Sequence, residues 1–178
     1  MALLVLMMVA AACKGGGVAK TRGLSRAQYP DQESWDSQVV LTRDGRYVAR
    51  TISDKLVKFD NTDMAFLSGN VGAHFYNDDG QHISYLTSDS ASVNLAGNHM
   101  SAFGHVVVIS DSGHTLATDT LLWEDRYEMI TTDDTVRFTT PQSDTLFGVG
   151  FQSDVDLTNW TIFQPWGVTG SALETENE

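Results

Sequence analysis

The chain has 178 residues, enough for one domain with a substantial core. Its 42% hydrophobic content speaks against disorder, and a formal net charge of −12 repels phosphate backbones, which argues against nucleic-acid partners. The single cysteine, Cys13, excludes disulfides within the chain.

The opening stretch, "MALLVLMMVAAAC", is the one continuously apolar run. At about a dozen residues it is shorter than the roughly 20 that a spanning helix needs, and it ends in small residues, as a signal-peptide apolar region does. "VAAAC" resembles a bacterial lipobox, in which the cysteine is lipidated and becomes the first mature residue. Two features depart from that pattern: no Lys or Arg precedes the run, and Ala10 stands where leucine is favoured. The expected organisation is a signal peptide over 1–12 and a lipidated Cys13 at the head of a flexible tether over 13–35. The tether is glycine-rich and polar, and it carries Lys14, Lys20, Arg22 and Arg26. A β domain is expected over 36–168 and a disordered acidic tail over 169–178.

From Trp35 onward the pattern is β. "QVVLTRDGRYVARTI" reads as two strands joined at Asp-Gly, a strong hairpin signal. "KLVKFDN" follows, then hairpins turning at "NDDG" and "SDSG", a further turn expected at "TDD" in "YEMITTDDTVRFTT", and a last strand in "VDLTNWTIF". Short strands with turn signals every 8–12 residues predict an all-β sandwich, jelly roll or barrel.

The chain also echoes itself. "LSGNVGAHFYNDDGQHISYLTSD" overlays "AFGHVVVISDSGHTLATDT", and "LFGVGFQSD" opens like a third copy, with Gly69, Gly104 and Gly148 at matching places. In "DTLFGVGFQSD", period-two alternation puts Phe147, Val149 and Phe151 on one face and Gly148 and Gly150 on the other. A bare strand face predicts a bend, a bulge or the close approach of another group.

No residues stand out as catalytic or metal-binding. His74, His82, His99, His105 and His114 lack short metal-ligand spacing, and the acidic turns do not follow the calcium-loop pattern. "SDSG" differs by one letter from a serine-protease motif but sits where a hairpin turn is expected. No metal, cofactor or enzymatic activity is expected.

Residues 102–162, with Gly-x-Val, Leu-x-Thr-x-x-Leu-x-Trp, Ile-x-Thr-Asp, Leu-x-Gly-x-Gly-Phe and Asp-Leu-x-x-Trp in order, resemble the LptC family of lipopolysaccharide export proteins. Residues 37–60 fit the family's opening strands, so the resemblance covers roughly 36–165. It implies an open, twisted antiparallel β-jelly roll of the OstA-like type that binds lipopolysaccharide by its acyl chains. In the family the roll passes that lipid from the LptB–LptF–LptG inner-membrane transporter to an LptA-like periplasmic bridge. The family's usual N-terminal membrane helix is replaced here by the expected lipid anchor, which implies a periplasmic protein held at a membrane, the inner one favoured.

On this resemblance Phe66, Val71, Phe75, Phe103, Val106, Val108, Leu121, Trp123, Ile130, Phe138, Phe147, Phe151 and Leu157 face the interior and partly line the lipid groove. Gly148 and Gly150, with Gly45 at the opposite end, are candidates for partner interfaces. The alternatives are an LptA-like bridge protein, or a structural lipoprotein in which the same apolar residues fill a closed core without lipid.

Overall fold

Turn chemistry sets most strand boundaries. The structure is a computed structural model that describes residues 29–169. Its nine strands are β1 (Gln32–Arg43), β2 (Arg46–Phe59), β3 (Met64–Tyr76), β4 (His82–Asn94), β5 (His99–Ser110), β6 (Thr115–Glu124), β7 (Met129–Thr139), β8 (Thr145–Asp154) and β9 (Trp160–Thr169). They pair antiparallel in chain order, β1 to β9, as one open sheet whose edges are β1 and β9. Gln32 to Trp35, expected to be tether, belong to β1. The expected signal segment, Cys13, most of the tether and the tail beyond Thr169 lie outside the described residues.

The Asp44–Gly45, Asn77–Gly80 and Ser110–Gly113 turns are where the sequence puts them. Gly45, Gly80 and Gly113 have φ of 79°, 76° and 92°, which glycine adopts at little cost. The Asn77 Oδ1 accepts hydrogen bonds from the backbone N–H groups of Asp79 and Gln81, closing its turn locally. Three expectations need correction. "KLVKFDN" does not form a separate strand, because β2 runs through it. "TDD" is not a turn, because β7 continues through Thr132, Asp133 and Asp134. The chain turns instead at Asp125–Tyr127, a short 3-10 segment. In "VDLTNWTIF" the first half is the β8–β9 turn, and the strand starts at Trp160.

The first two of these corrections share one cause. The break before "KLVKFDN" and the "TDD" run each mark a jog in mid-strand, where the pairing register shifts, as it does on the neighbouring strands. On β2, β4, β6 and β7 the jog is a Ser/Thr-Asp pair: Ser53–Asp54, Ser88–Asp89, Thr118–Asp119 and Thr132–Asp133. The hydroxyl residue is buried in all four. The Ser53 and Ser88 hydroxyls donate to Lys55 O and Ser90 O, and the Thr132 hydroxyl accepts the Asp134 N–H, so each meets the backbone that leaves the ladder. On β3 and β5 the jog is a left-handed pair, Gly69–Asn70 (φ 72° and 45°) and Gly104–His105 (φ 74° and 46°). Neighbouring jogs are tied together: Asn70 Nδ2 donates to Asp54 at 2.8 Å, His105 Nδ1 pairs with Asp89 at 2.8 Å, and Thr120 Oγ1 donates to Asp134. The repeat read in the sequence is therefore the repeat of this line of jogs. In its third copy the left-handed residue is Gly150 (φ 75°), not Gly148.

The line of jogs divides the sheet into two leaves. The upper leaf holds the strand halves next to the turns at 44–45, 77–81, 111–114 and 140–144. The lower leaf holds the halves next to 60–63, 95–98, 125–128 and 155–159. Their concave faces meet in one apolar core: Phe75 of the upper leaf lies 5.2 Å from Trp123 of the lower, ring to ring, and Phe138 lies 4.6 Å from Trp160. These pairs come from strands two to three places apart in the sheet, so the sheet is rolled as well as bent.

Candidate functional site

Opposite the line of jogs the turns of the two leaves face each other along a seam. A slot of about 360 Å³ opens there. Val48, Phe75, Ile83, Trp123 and Val155 supply its apolar lining, and its polar lining includes Asp78 and Asp79 from the upper leaf and Asp125, Glu128, Asp154 and Asp156 from the lower. The slot therefore leads from an acidic rim down to the Phe75–Trp123 pair.

Arg43, the last residue of β1, closes one end of this rim. Its Nη2 donates to Asp78 at 2.8 Å and to Glu128 at 2.5 Å, and its Nη1 donates to the Asp125 carbonyl and carboxylate at 3.1 and 3.2 Å. Asp78 belongs to the upper leaf, and Asp125 and Glu128 to the lower, so one guanidinium spans the seam. The Asp78 hydrogen bond leads the causes that raise the Arg43 pKa, against a loss from burial. Asp125 is 6% exposed, and a buried carboxylate without a cation would be costly. Asn98 adds to the tie: its Nδ2 donates to Thr42 O at 3.1 Å and to Asp125 Oδ2 at 3.4 Å.

A second tie lies further along the seam. Ser112, in the β5–β6 turn, donates from Oγ to Asp156 O at 3.2 Å in the β8–β9 turn. Asp154 organises that second turn by accepting from the backbone N–H groups of Thr158 and Asn159 and from both their side chains. Burial pushes Asp154 up, but the bonds from Asn159 and Thr158 outweigh it and hold the group below its ordinary value. Burial, then the neighbouring Asp154, pushes Asp156 up.

Ten of the thirteen residues expected inside are buried on the concave face: Val71, Phe75, Val106, Val108, Leu121, Trp123, Ile130, Phe138, Phe151 and Leu157. Of these, Phe75 and Trp123 line the slot, and the rest pack the core around it. Phe66, Phe103 and Phe147 are not inside. Phe66 and Phe103 are 46% and 42% exposed on the convex face, because Ala65, Leu67 and Ala102 hold the inward positions beside them. Phe147 is half-buried on the convex face and stacks on Trp166 at 5.3 Å. It does not share a face with Phe151: the left-handed Gly150 (φ 75°), which stands opposite both Asp133 and Asp134 of β7, breaks the alternation along β8, so Phe151 points inward on the same side as Gly148.

The β8 glycines answer to β9. A side chain at Gly148 would run into Ile162 Cγ2, Gln164 O at 2.8 Å and Pro165 Cα at 3.2 Å, and one at Gly150 would meet the Phe163 ring at 2.8 Å. The group that approaches them closely is the chain's own edge strand. Gly45 differs: nothing lies within 4 Å of where its side chain would be, and it stands free at the tip of the first turn.

The histidines do not converge on a metal, and among the described residues no group of three or more His, Cys, Asp or Glu is arranged to hold one. His74 Nδ1 lies 3.0 Å from His82 Nε2, and His82 Nδ1 pairs with Asp111 at 2.9 Å. Burial, then the nearby Arg50 and His82, lowers the His74 pKa. The "SDSG" serine, Ser112, accepts or donates to His114 Nδ1 at 2.9 Å within its own turn. Nothing in the sequence marks Arg43, Asp125 and Glu128 as seam residues, because a guanidinium before an Asp-Gly turn has no local sign of partners more than eighty residues away.

Comparison with known proteins agrees with this architecture. No curated protein matches the chain. The model of the family described as lipopolysaccharide-assembly, LptC-related, matches residues 27–164, which takes in β1 to β8 and the first half of β9. With nine antiparallel strands in one open, rolled sheet and that match over most of its length, the chain belongs to the LptC-related family of lipopolysaccharide-assembly proteins.

Proposed function

We propose that this protein is the periplasmic carrier that takes lipopolysaccharide from the LptB–LptF–LptG transporter and hands it to an LptA-like bridge, holding the acyl chains between its two leaves. The observation that carries this reading is the seam slot, which leads from its mouth down toward the buried Phe75 and Trp123 between two leaves held by side-chain ties. In the closed conformation the core beneath the slot is filled, so chains enter by parting the leaves along the seam. The ties there are polar and partly exposed, and they cost far less to break than the bent sheet opposite. The β1 and β9 edges supply backbone groups that neighbouring rolls can extend by strand addition.

A lipidated Cys13, with the tether behind it, would hold the roll at the inner membrane. Among the described residues no helix is long and apolar enough to cross a membrane.

A closed structural β domain without cargo is the second reading, and the filled core favours it. Bromine-labelled acyl chains distinguish the two in the purified full chain. Carriage predicts quenching of tryptophan fluorescence that is largely lost in Trp123→Phe. A closed core predicts no quenching that depends on Trp123.

A further inference from the structure

Among the described residues the basic side chains gather mainly in one district. Arg43, Arg46, Arg50, Lys55 and Lys58 all lie on β1 and β2, and the other described cations are Arg126 and Arg137. Within this district a recess of about 570 Å³ opens on the outer side of the first hairpin. Arg46 and Arg50 supply its positive charge, and Tyr47, Tyr76 and Val40 its apolar and aromatic wall. Tyr47 is 65% exposed and Val40 39%, an unusual exposure of large side chains beside two guanidinium groups. The Arg50 Nε–H is buried and has no hydrogen-bond partner. A buried donor left unpaired is unfavourable, and an anion is the acceptor that a guanidinium binds best.

The recess and the seam slot are neighbours. Tyr76, Asp78 and Asp79 line both, so the 77–81 turn forms a sill between them. Of the two carboxylates on that sill, Asp78 is already paired with Arg43 at 2.8 Å, which leaves Asp79 opposing two arginines. Arg46 reaches the sill as well, donating from Nη1 to Asp78 O at 3.3 Å.

We infer that the Arg46–Arg50 recess binds the anionic head of an amphiphile, a phosphate or a carboxylate, whose chain passes over the 77–81 turn into the slot. This rests on the reading that the slot takes acyl chains. It adds a polar end to the site and a direction: the head faces the β1 edge, and the chain points toward Phe75 and Trp123.

The test uses three probes on the full chain, by titration calorimetry at low salt: dodecyl phosphate, dodecyl maltoside with the same chain and a neutral head, and inorganic phosphate. Dodecyl phosphate is expected to bind about tenfold more tightly than dodecyl maltoside, as a desolvated charge-assisted pair allows. In Arg46→Gln/Arg50→Gln that preference falls to within about twofold, with maltoside binding unchanged, since only the charged contacts are removed. If the double variant does not fold, exposed Arg46→Gln alone is expected to lower the preference. A folded variant that keeps the full preference overturns the inference. Equal binding of both amphiphiles by the unaltered protein overturns it while the lipid-carrying reading stands, whereas binding of neither removes both. Inorganic phosphate binding as tightly as dodecyl phosphate, with the same arginine dependence, reduces the recess to a free-phosphate site and overturns the straddling pose.

Discussion

Arg43 and Asp125 are 82 positions apart in the chain, yet the guanidinium of the first donates to both the carbonyl and the carboxylate of the second, at 3.1 and 3.2 Å. The contact joins the end of β1 to the 3-10 turn after β6, and so joins the upper leaf to the lower one across the seam. If the leaves part to admit lipid, as the proposed function requires, the ties must hold at rest and yield without unfolding, and a guanidinium shared among three carboxylates has that character.

Arg43→Met should therefore weaken the seam. It leaves the Asp125 carboxylate buried without its cation, a loss of about 1–3 kcal/mol. Glu128→Gln removes a partner on the exposed side of the same cluster and should cost less, about 0–1 kcal/mol. Urea denaturation midpoints give the order. Amide exchange in the 125–128 turn should quicken in Arg43→Met.

Gly148→Ala and Gly45→Ala separate a packing glycine from a turn glycine. Gly148 faces Ile162 and Gln164 O with no room for a methyl group, so the substitution should displace β9 and cost about 1–3 kcal/mol. Gly45 has open space and only its positive φ to satisfy, for which about 1 kcal/mol is expected. Thermal melts of the two variants check the ranking.

Opposite faces of the sheet predict opposite outcomes for two like substitutions. Val108→Arg buries an unpaired charge in the core and should prevent stable folding, at a cost of several kcal/mol. Phe147→Arg lies on the convex face and loses chiefly its stacking on Trp166, about 1 kcal/mol. Circular dichroism should show the second variant folded, with its lipid binding intact.

Acid should destabilise the roll through His74. Burial, Arg50 and His82 hold its folded pKa below the ordinary value near 6.5. The unfolded chain then takes up a proton that the folded protein refuses, so the stability is complete above about pH 6.5 and is lost as the pH falls toward the folded value. His105 runs the other way. Its hydrogen bond to Asp89 raises its pKa, so its contribution is present below about pH 6.5 and is lost as the pH rises through the folded value. His105 is fully exposed, so solvent screening keeps its contribution small. Denaturation midpoints across this range should lose their acidic slope in His74→Gln and keep it in His105→Asn.

Legibility in the sequence followed the range of the interactions. Asp44–Gly45, Asn77–Gly80 and Ser110–Gly113 could be read because a turn is decided by residues that touch one another. Ser53–Asp54 and Thr132–Asp133 carry the same chemistry but interrupt strands rather than end them. Only the pairing of neighbouring strands distinguishes a jog from a turn. Phe66, Phe103 and Phe147 stand on the convex face against expectation because apolar character alone does not assign a face, and alternation cannot be carried across a bulge whose position is unknown. The seam was invisible for a different reason: Arg43, Asp125 and Glu128 are ordinary surface residues until the sheet rolls and brings them together.

Carriage of lipid as proposed puts the acyl chains between the leaves, against Phe75, and not on the convex surface. A photoactivatable phenylalanine analogue placed in turn at position 75 and at position 66, irradiated in cells and probed for lipopolysaccharide, tests it directly. An adduct from position 75 and none from position 66 is the expected result. No adduct from position 75 in a folded, correctly located protein, or equal adducts from both positions, would contradict it.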